Sequence, residues 1–114
     1  MKKTEILKLN KDFRRLYARG RSSAGGFVAV YAQKNRRGVN RVGFSVGKQL
    51  GCAVMRNRAK RLMRESYRQL EDGITGTYDL VIVARNRAAG KTFLQIMRDM
   101  KYVLASLGVW SEEN

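Results

Sequence analysis

Between Ala53 and Leu70 the chain repeats apolar residues at helical spacing and carries charge of one sign along the other side. Projected at about 100° per residue, Met55, Ala59, Leu62, Met63, Tyr67 and Leu70 gather on one face. Asn57, Lys60, Arg61, Arg64 and Arg68 gather on the opposite one, and Arg56 and Arg58 flank the apolar stripe. A segment of this kind is expected to be a helix that buries one face in a core and holds a rigid cationic surface outside it. The cations also repel one another. Arg56, Lys60, Arg64 and Arg68 follow at i,i+4 spacing, where like charges cost a few tenths of a kcal/mol per pair. Solvated helix faces normally mix signs at that spacing. Residues 54–68 hold six cations and a single acid, Glu65, so the balancing charge is expected from a partner rich in phosphate.

The rest of the composition sharpens this reading. The chain has 114 residues and is 44% hydrophobic, enough for one domain with one core. Domain 1–114 is expected, with residues 1–8 and 109–114 as flexible ends. The net charge is +15, from 24 Lys and Arg against 9 Asp and Glu. Residues 1–68 hold 19 of the cations and 3 acids; residues 69–114 are nearly neutral. A polyanion partner with salt-dependent binding follows. No apolar run approaches the ~20 residues of a spanning helix, and the first residues lack a secretory apolar region. No membrane role and a cytoplasmic location are therefore expected. Cys52 is the one cysteine, which rules out a disulfide within the chain, and it reads as a small packing residue. There is no histidine, so the usual general base and metal ligand are missing, and no protein-only metal site or catalytic residue is expected.

Residues 10–12 can cap a short helix with Phe13, Leu16 and Tyr17 at i,i+3,i+4, and Gly20 reads as its terminator. Residues 27–32 and 41–46 read as strands paired antiparallel through the polar loop 34–38, with 21–25 as a short edge strand. Residues 78–84 are a continuous apolar run and so a central strand. Thr92 and Gln95 have capping-box spacing. They open a helix whose stripe is Phe93, Met97, Met100, Leu104 and Leu107, ended by Gly108. The order is roughly α-β-β-(β)-α-β-α, an α+β single-domain sandwich with helices covering one central sheet.

Two phosphate-loop near misses fail. Gly90-Lys91-Thr92 has Arg85, and Gly47-Lys48 has Val42, where the loop requires glycine. The stretch from Gly43 to Val54 is either flexible turn chemistry or a close backbone approach to phosphate aided by Lys48. Phe13, Tyr17 and Tyr31 are either core or a stacking platform for unpaired bases.

These motifs carry a resemblance. Arg-Val-Gly-Phe-Ser-Val-Gly-Lys at 41–48, followed by Gly-Cys-Ala-Val-Met-Arg-Asn-Arg-Ala-Lys-Arg-Leu-Met-Arg-Glu at 51–65, is similar to the signature of the bacterial ribonuclease P protein subunit. Asp12-Phe13, residues 27–31 and residues 79–85 fall in the order that family shows, so the similarity spans about residues 8–107. The resemblance implies an α/β sandwich with a left-handed β-α-β crossover, against the right-handed default. It implies a ribonucleoprotein endoribonuclease, ribonuclease P, that uses Mg2+ to remove the 5′ leader of precursor tRNA, with the chemistry on a catalytic RNA. The implied partners are that RNA and precursor tRNA, without an obligate protein partner. By position, Arg56, Asn57, Arg58, Lys60, Arg61 and Arg64 match the motif that contacts the catalytic RNA near the cleavage site, and Arg68 extends that face. Phe13, Tyr17 and Tyr31 match the leader-binding cleft, with Ala29, Ser45 and Lys48 beside them. Gln49 stands where the family commonly has a lysine. A ribosomal or generic RNA-binding protein without a catalytic RNA partner is the alternative reading.

Overall fold

The computed structural model describes residues 3–112. In chain order the elements are β1 (Thr4–Ile6), α1 (Asn10–Arg19), β2 (Arg21–Ala24), β3 (Val28–Lys34), β4 (Asn40–Val46), α2 (Ala53–Leu70), β5 (Tyr78–Ala84) and α3 (Phe93–Ser106). They form an α+β fold on one mixed sheet of order β1-β4-β5-β3-β2. β4 and β5 are parallel neighbours with α2 between them in sequence.

The expected antiparallel pairing of 27–32 with 41–46 does not occur, because β5 lies between the two strands. Val83 pairs with Ala29 on one side and with Ser45 on the other. The reason lies in β5 itself. Six of its seven residues are buried, and a strand apolar on both faces is most stable at the sheet centre. The loop after β3 therefore crosses the end of β5. There Asn35 donates its N–H to the Thr77 carbonyl at 3.1 Å, and the Thr77 hydroxyl donates to the Asn35 carbonyl at 2.9 Å.

Strand alternation gives each sheet face its own core. Val28, Val30, Ala32, Val42, Phe44, Leu80 and Ile82 pack under α2 and α3, against Ala59, Met63, Tyr67, Met100 and Leu104. On α3, Ile96 and Val103 join the expected stripe, whose Phe93 and Met97 are only half-buried. The capping box of Thr92 and Gln95 is formed, and Gly108 leaves the helix at φ 77°. On the other face Leu16, Leu7 and Val81 are buried, with Phe13, Tyr31 and Val83 packed against them.

Several local expectations change. Asn10 begins α1, Leu9 is its N-cap, and no side chain caps that end; Asp12 is drawn into an ion network instead. Gly20 has an ordinary φ of −73°. Its small size serves close approach, since a Cβ there would lie 2.7 Å from the Leu16 carbonyl oxygen. Cys52 is exposed rather than packed.

Of the ends read as flexible, residues 1, 2, 113 and 114 lie outside the described residues. Of the remainder, residues 3–7 and 109–111 are tied into the fold. Thr4–Ile6 pairs in parallel with β4. The Thr4 hydroxyl donates to Glu71 Oε2 at 2.6 Å and lies 3.0 Å from the Tyr67 hydroxyl. Burial pushes the Tyr67 phenol up to about 12. At the other end Val109 is buried, and Trp110 Nε1 donates to the Leu70 carbonyl at 2.7 Å. The sequence hides both ties because each joins residues far apart in the chain.

Gly43 marks where α1 meets the sheet. A Cβ at this position would overlap Cζ of Phe13 and lie 3.0 Å from Cε1 and Cε2 of the same ring. Gly43→Ala is expected to lift the Phe13 ring and cost about 1–3 kcal/mol, the usual range for overpacking. Thermal melts should show it, since about 1 kcal/mol moves a domain near this size by roughly 4–8 °C. An unchanged melting temperature would mean that the ring yields freely.

Candidate nucleic-acid interface

The helix that dominates the sequence spans the expected residues. α2 buries Ala59, Met63, Ser66, Tyr67 and Leu70. Asn57, Arg58, Lys60, Arg61, Arg64 and Arg68 are exposed, and Arg56 is half-buried. Met55, placed on the apolar stripe by projection, is 43% exposed and borders a surface recess with Leu50, Arg58 and Ala89. Of the α2 cations only Arg68 is in an ion pair among the described residues, with Glu65 at 2.7 Å. Both side chains are about half exposed, so that pair is worth little. Arg58 donates to the Lys91 carbonyl at 3.1 Å. The Arg64 guanidinium lies 5.8 Å from the centre of the Phe44 ring.

Beside this face is a groove of about 550 Å³. β1 pairs with β4 only as far as Val42, and the last backbone bond runs from the Leu7 N–H to the Val42 carbonyl at 2.8 Å. Beyond it residues 44–46 have no strand on that side, so the gap between α1 and α2 stays open. Phe44 and Ser45 line it from β4, Lys60 and Arg64 from α2, and Asn10, Phe13, Arg14 and Tyr17 from α1. Ile6, Leu7 and Lys8 close one end. Aromatic rings and cations thus face the same space, the combination that holds unpaired nucleotides by stacking and phosphate binding.

The structure brings most of the expected cleft together, but not as one set. Phe13 and Tyr17 line the groove, with ring centres 6.5 Å apart in an edge geometry. Tyr31 stands behind them, 5.0 Å from the Tyr17 ring and nearly perpendicular to it, and is half-buried. Ala29 and Ser45 flank Val83 in one row across the sheet. Lys48, expected at the rim, is exposed on a single-turn helix (Lys48–Leu50) anchored by buried Leu50 and is not among the lining residues. Lys60 and Arg64 occupy the place expected for it. Arg56 and Asn57 line a smaller recess of about 180 Å³ with Val46, Ala53 and Lys60, adjoining the groove at Lys60.

Lys8, Asn10 and Arg14 escaped the sequence reading. For two of them a signal existed: Asn10, Phe13, Arg14 and Tyr17 follow i,i+3,i+4,i+7 spacing and so share one helix face.

What holds α1 against the sheet was also missed. Asp79 is 3% exposed. It accepts from Arg41 Nε at 2.9 Å and Nη2 at 2.7 Å, from Asn35 Nδ2 at 2.9 Å, and from Arg15 Nη2 at 2.5 Å. Arg15 also donates to Asp12 at 2.6 Å and to Gln33 at 2.9 Å. One network therefore ties α1 to β3, β4 and β5, two residues along the strands from the row of Tyr31 and Gly43 on which Phe13 packs. Burial alone would raise the Asp79 carboxyl; the bonds from Arg41 and Asn35 and the charges of Arg41 and Arg15 outweigh it and hold the group below its ordinary value. The same bond to Asp79 raises Arg41. The signal in the sequence was an acid inside an otherwise apolar central strand.

Comparison with known proteins agrees with this architecture. The family described as Ribonuclease P matches residues 1–108. A ribonuclease P protein component from Clostridium novyi (strain NT) is 42% identical over 113 residues, covering 97% of this chain and all of the relative. The structure of the Staphylococcus aureus RNase P protein superposes with a TM-score of 0.83 at 36% identity, covering 93% of this chain and 97% of that one. The Thermotoga maritima RNase P protein gives 0.76 at 27% identity, covering 84% and 91%.

Proposed function

The chain belongs to the ribonuclease P protein family, and from that premise we propose that it is the protein subunit of a ribonucleoprotein that removes 5′ leaders from precursor tRNA. One observation carries the proposal: the aromatic wall of α1 and the α2 cations Lys60 and Arg64, which make no ion pair among the described residues, face a single groove. In this reading the α2 face binds the catalytic RNA through phosphates, giving affinity with little sequence information. The groove takes the unpaired leader, with Phe13 and Tyr17 against bases and Arg14, Lys60 and Arg64 against phosphates.

Hydrolysis is assigned to the RNA partner acting with magnesium. This chain contributes positioning and charge neutralisation. Asp12 and Asp79, the acids behind the groove, are held by Arg15 and Arg41, which favours a structural role for them over a reactive one. A cytoplasmic location belongs to the same proposal, and none of the described helices is long and apolar enough to cross a membrane.

Tyr17→Leu tests the groove. Tyr17 is 43% exposed, so leucine keeps apolar bulk while removing the stacking face, and the melting temperature should hardly change. Binding of precursor tRNA with a leader of several nucleotides should weaken by about 1–3 kcal/mol, the range for one stacked base. Mature tRNA, which lacks the leader, should bind as before. Equal weakening of both RNAs would remove the leader from this groove.

A further inference from the structure

A second cationic surface lies at the far end of the sheet from the start of α2, and the groove does not use it. Two recesses meet there. One, of about 350 Å³, is lined by Arg19, Arg21, Ala32, Gln33, Lys34 and Tyr78. The other, of about 620 Å³, is lined by Lys34, Asn35, Arg36, Gly76 and Thr77. Lys34 belongs to both, so the two recesses adjoin at its side chain. Arg19, Arg21, Lys34, Arg36 and Arg37 are all exposed, and none is in an ion pair among the described residues. Asp79, the acid nearby in the sheet, is buried and committed to Arg15 and Arg41.

We propose that this surface is a second RNA-binding site, which grips the phosphate backbone of a double-stranded segment. Two features select paired RNA. The surface offers cations in concave ground but no exposed aromatic ring; its one aromatic residue, Tyr78, is 7% exposed. Without a stacking platform it has little hold on unpaired bases, whereas duplex RNA presents phosphates and sugar hydroxyls and hides its bases. Position is the second feature. Arg56 and Asn57 border Val46 at one end of β4, whereas Lys34 closes the opposite end of β3, and these strands are seven residues long. Lys34 and the Arg56–Asn57 turn of α2 are therefore about 20 Å apart along the strands, too far to hold the same phosphate. The protein can bridge two RNA segments, one at each end of its sheet. The proposal rests only on the RNA-binding part of the reading above, not on the leader groove.

The test uses the full chain, a short blunt-ended RNA duplex and an unpaired oligoribonucleotide, each titrated across a salt series. Lys34→Ala with Arg36→Ala removes two exposed charges from the surface, and Arg87→Ala with Arg98→Ala removes two exposed charges elsewhere. The first variant should bind the duplex more weakly and flatten the slope of log affinity against log salt by about 0.7–0.9 for each phosphate no longer neutralised. Its binding of the unpaired oligomer and the duplex binding of the second variant should match the parent. The proposal is overturned if the first variant keeps the parent's duplex slope, if it loses both probes equally, or if the second variant loses as much. A parent that binds neither probe overturns RNA binding as a whole. Circular dichroism melts confirm that each variant is folded.

Discussion

Asp79→Ala should melt far below the parent, by about 12 °C or more. The substitution leaves Arg41, whose side chain is 14% exposed, without its bidentate acceptor and cuts the tie between β5 and α1. Breaking a buried ion pair from one side costs about 3–5 kcal/mol. The lower figure applies here, because the Arg15 side chain is 32% exposed and water can replace part of its bonding. A loss of ~3 kcal/mol corresponds to the expected shift at roughly 4–8 °C per kcal/mol. The pH dependence has a definite sign. The folded carboxyl of Asp79 lies below its ordinary value. Its contribution is therefore complete above the unfolded value near pH 4 and disappears as pH falls through the folded value. The difference between parent and Asp79→Ala should be constant at neutral pH and narrow below about pH 4. A constant difference down to strong acid would mean that the charge of Asp79 contributes nothing.

Replacing Arg61 and Arg64 together with alanine should produce the largest change in RNA binding with little change in folding. Both side chains are exposed and outside any ion pair among the described residues. The folded state loses only the Arg64–Phe44 stacking, worth about 0.5–1 kcal/mol at an exposed site. If each arginine meets one phosphate of the catalytic RNA, the salt slope should flatten by about 1.4–1.8 log units. A binding titration with an unchanged slope would remove the α2 face from the RNA interface.

The sequence by itself determined the features that depend on local pattern. Residues 53–70 form the expected helix because an apolar stripe and a cationic face at one period leave the chain no other way to bury Met63 and Tyr67 while keeping Lys60 and Arg64 in water. The capping box at Thr92 and the glycine ending at Gly108 were legible because each is a bond or a dihedral within a few residues. The ordered motif from Arg41 to Glu65 carried the family. The tertiary structure decided what depends on partners distant in the chain. β5 entered between β3 and β4 because its burial on both faces outweighed the short loop that favoured a hairpin. Thr4–Ile6 became a strand because β4 had a free edge and Tyr67 and Glu71 offered hydroxyl and carboxylate partners. The groove is bounded on one side by α1 and on the other by α2. Which cations it received was therefore fixed by how those helices cross the sheet: Lys60 and Arg64 entered and Lys48 did not. Neither fact is a property of any short segment. Each follows from the one arrangement in which Leu16, Val81 and Phe13 seal one face of the sheet while the α2 stripe seals the other.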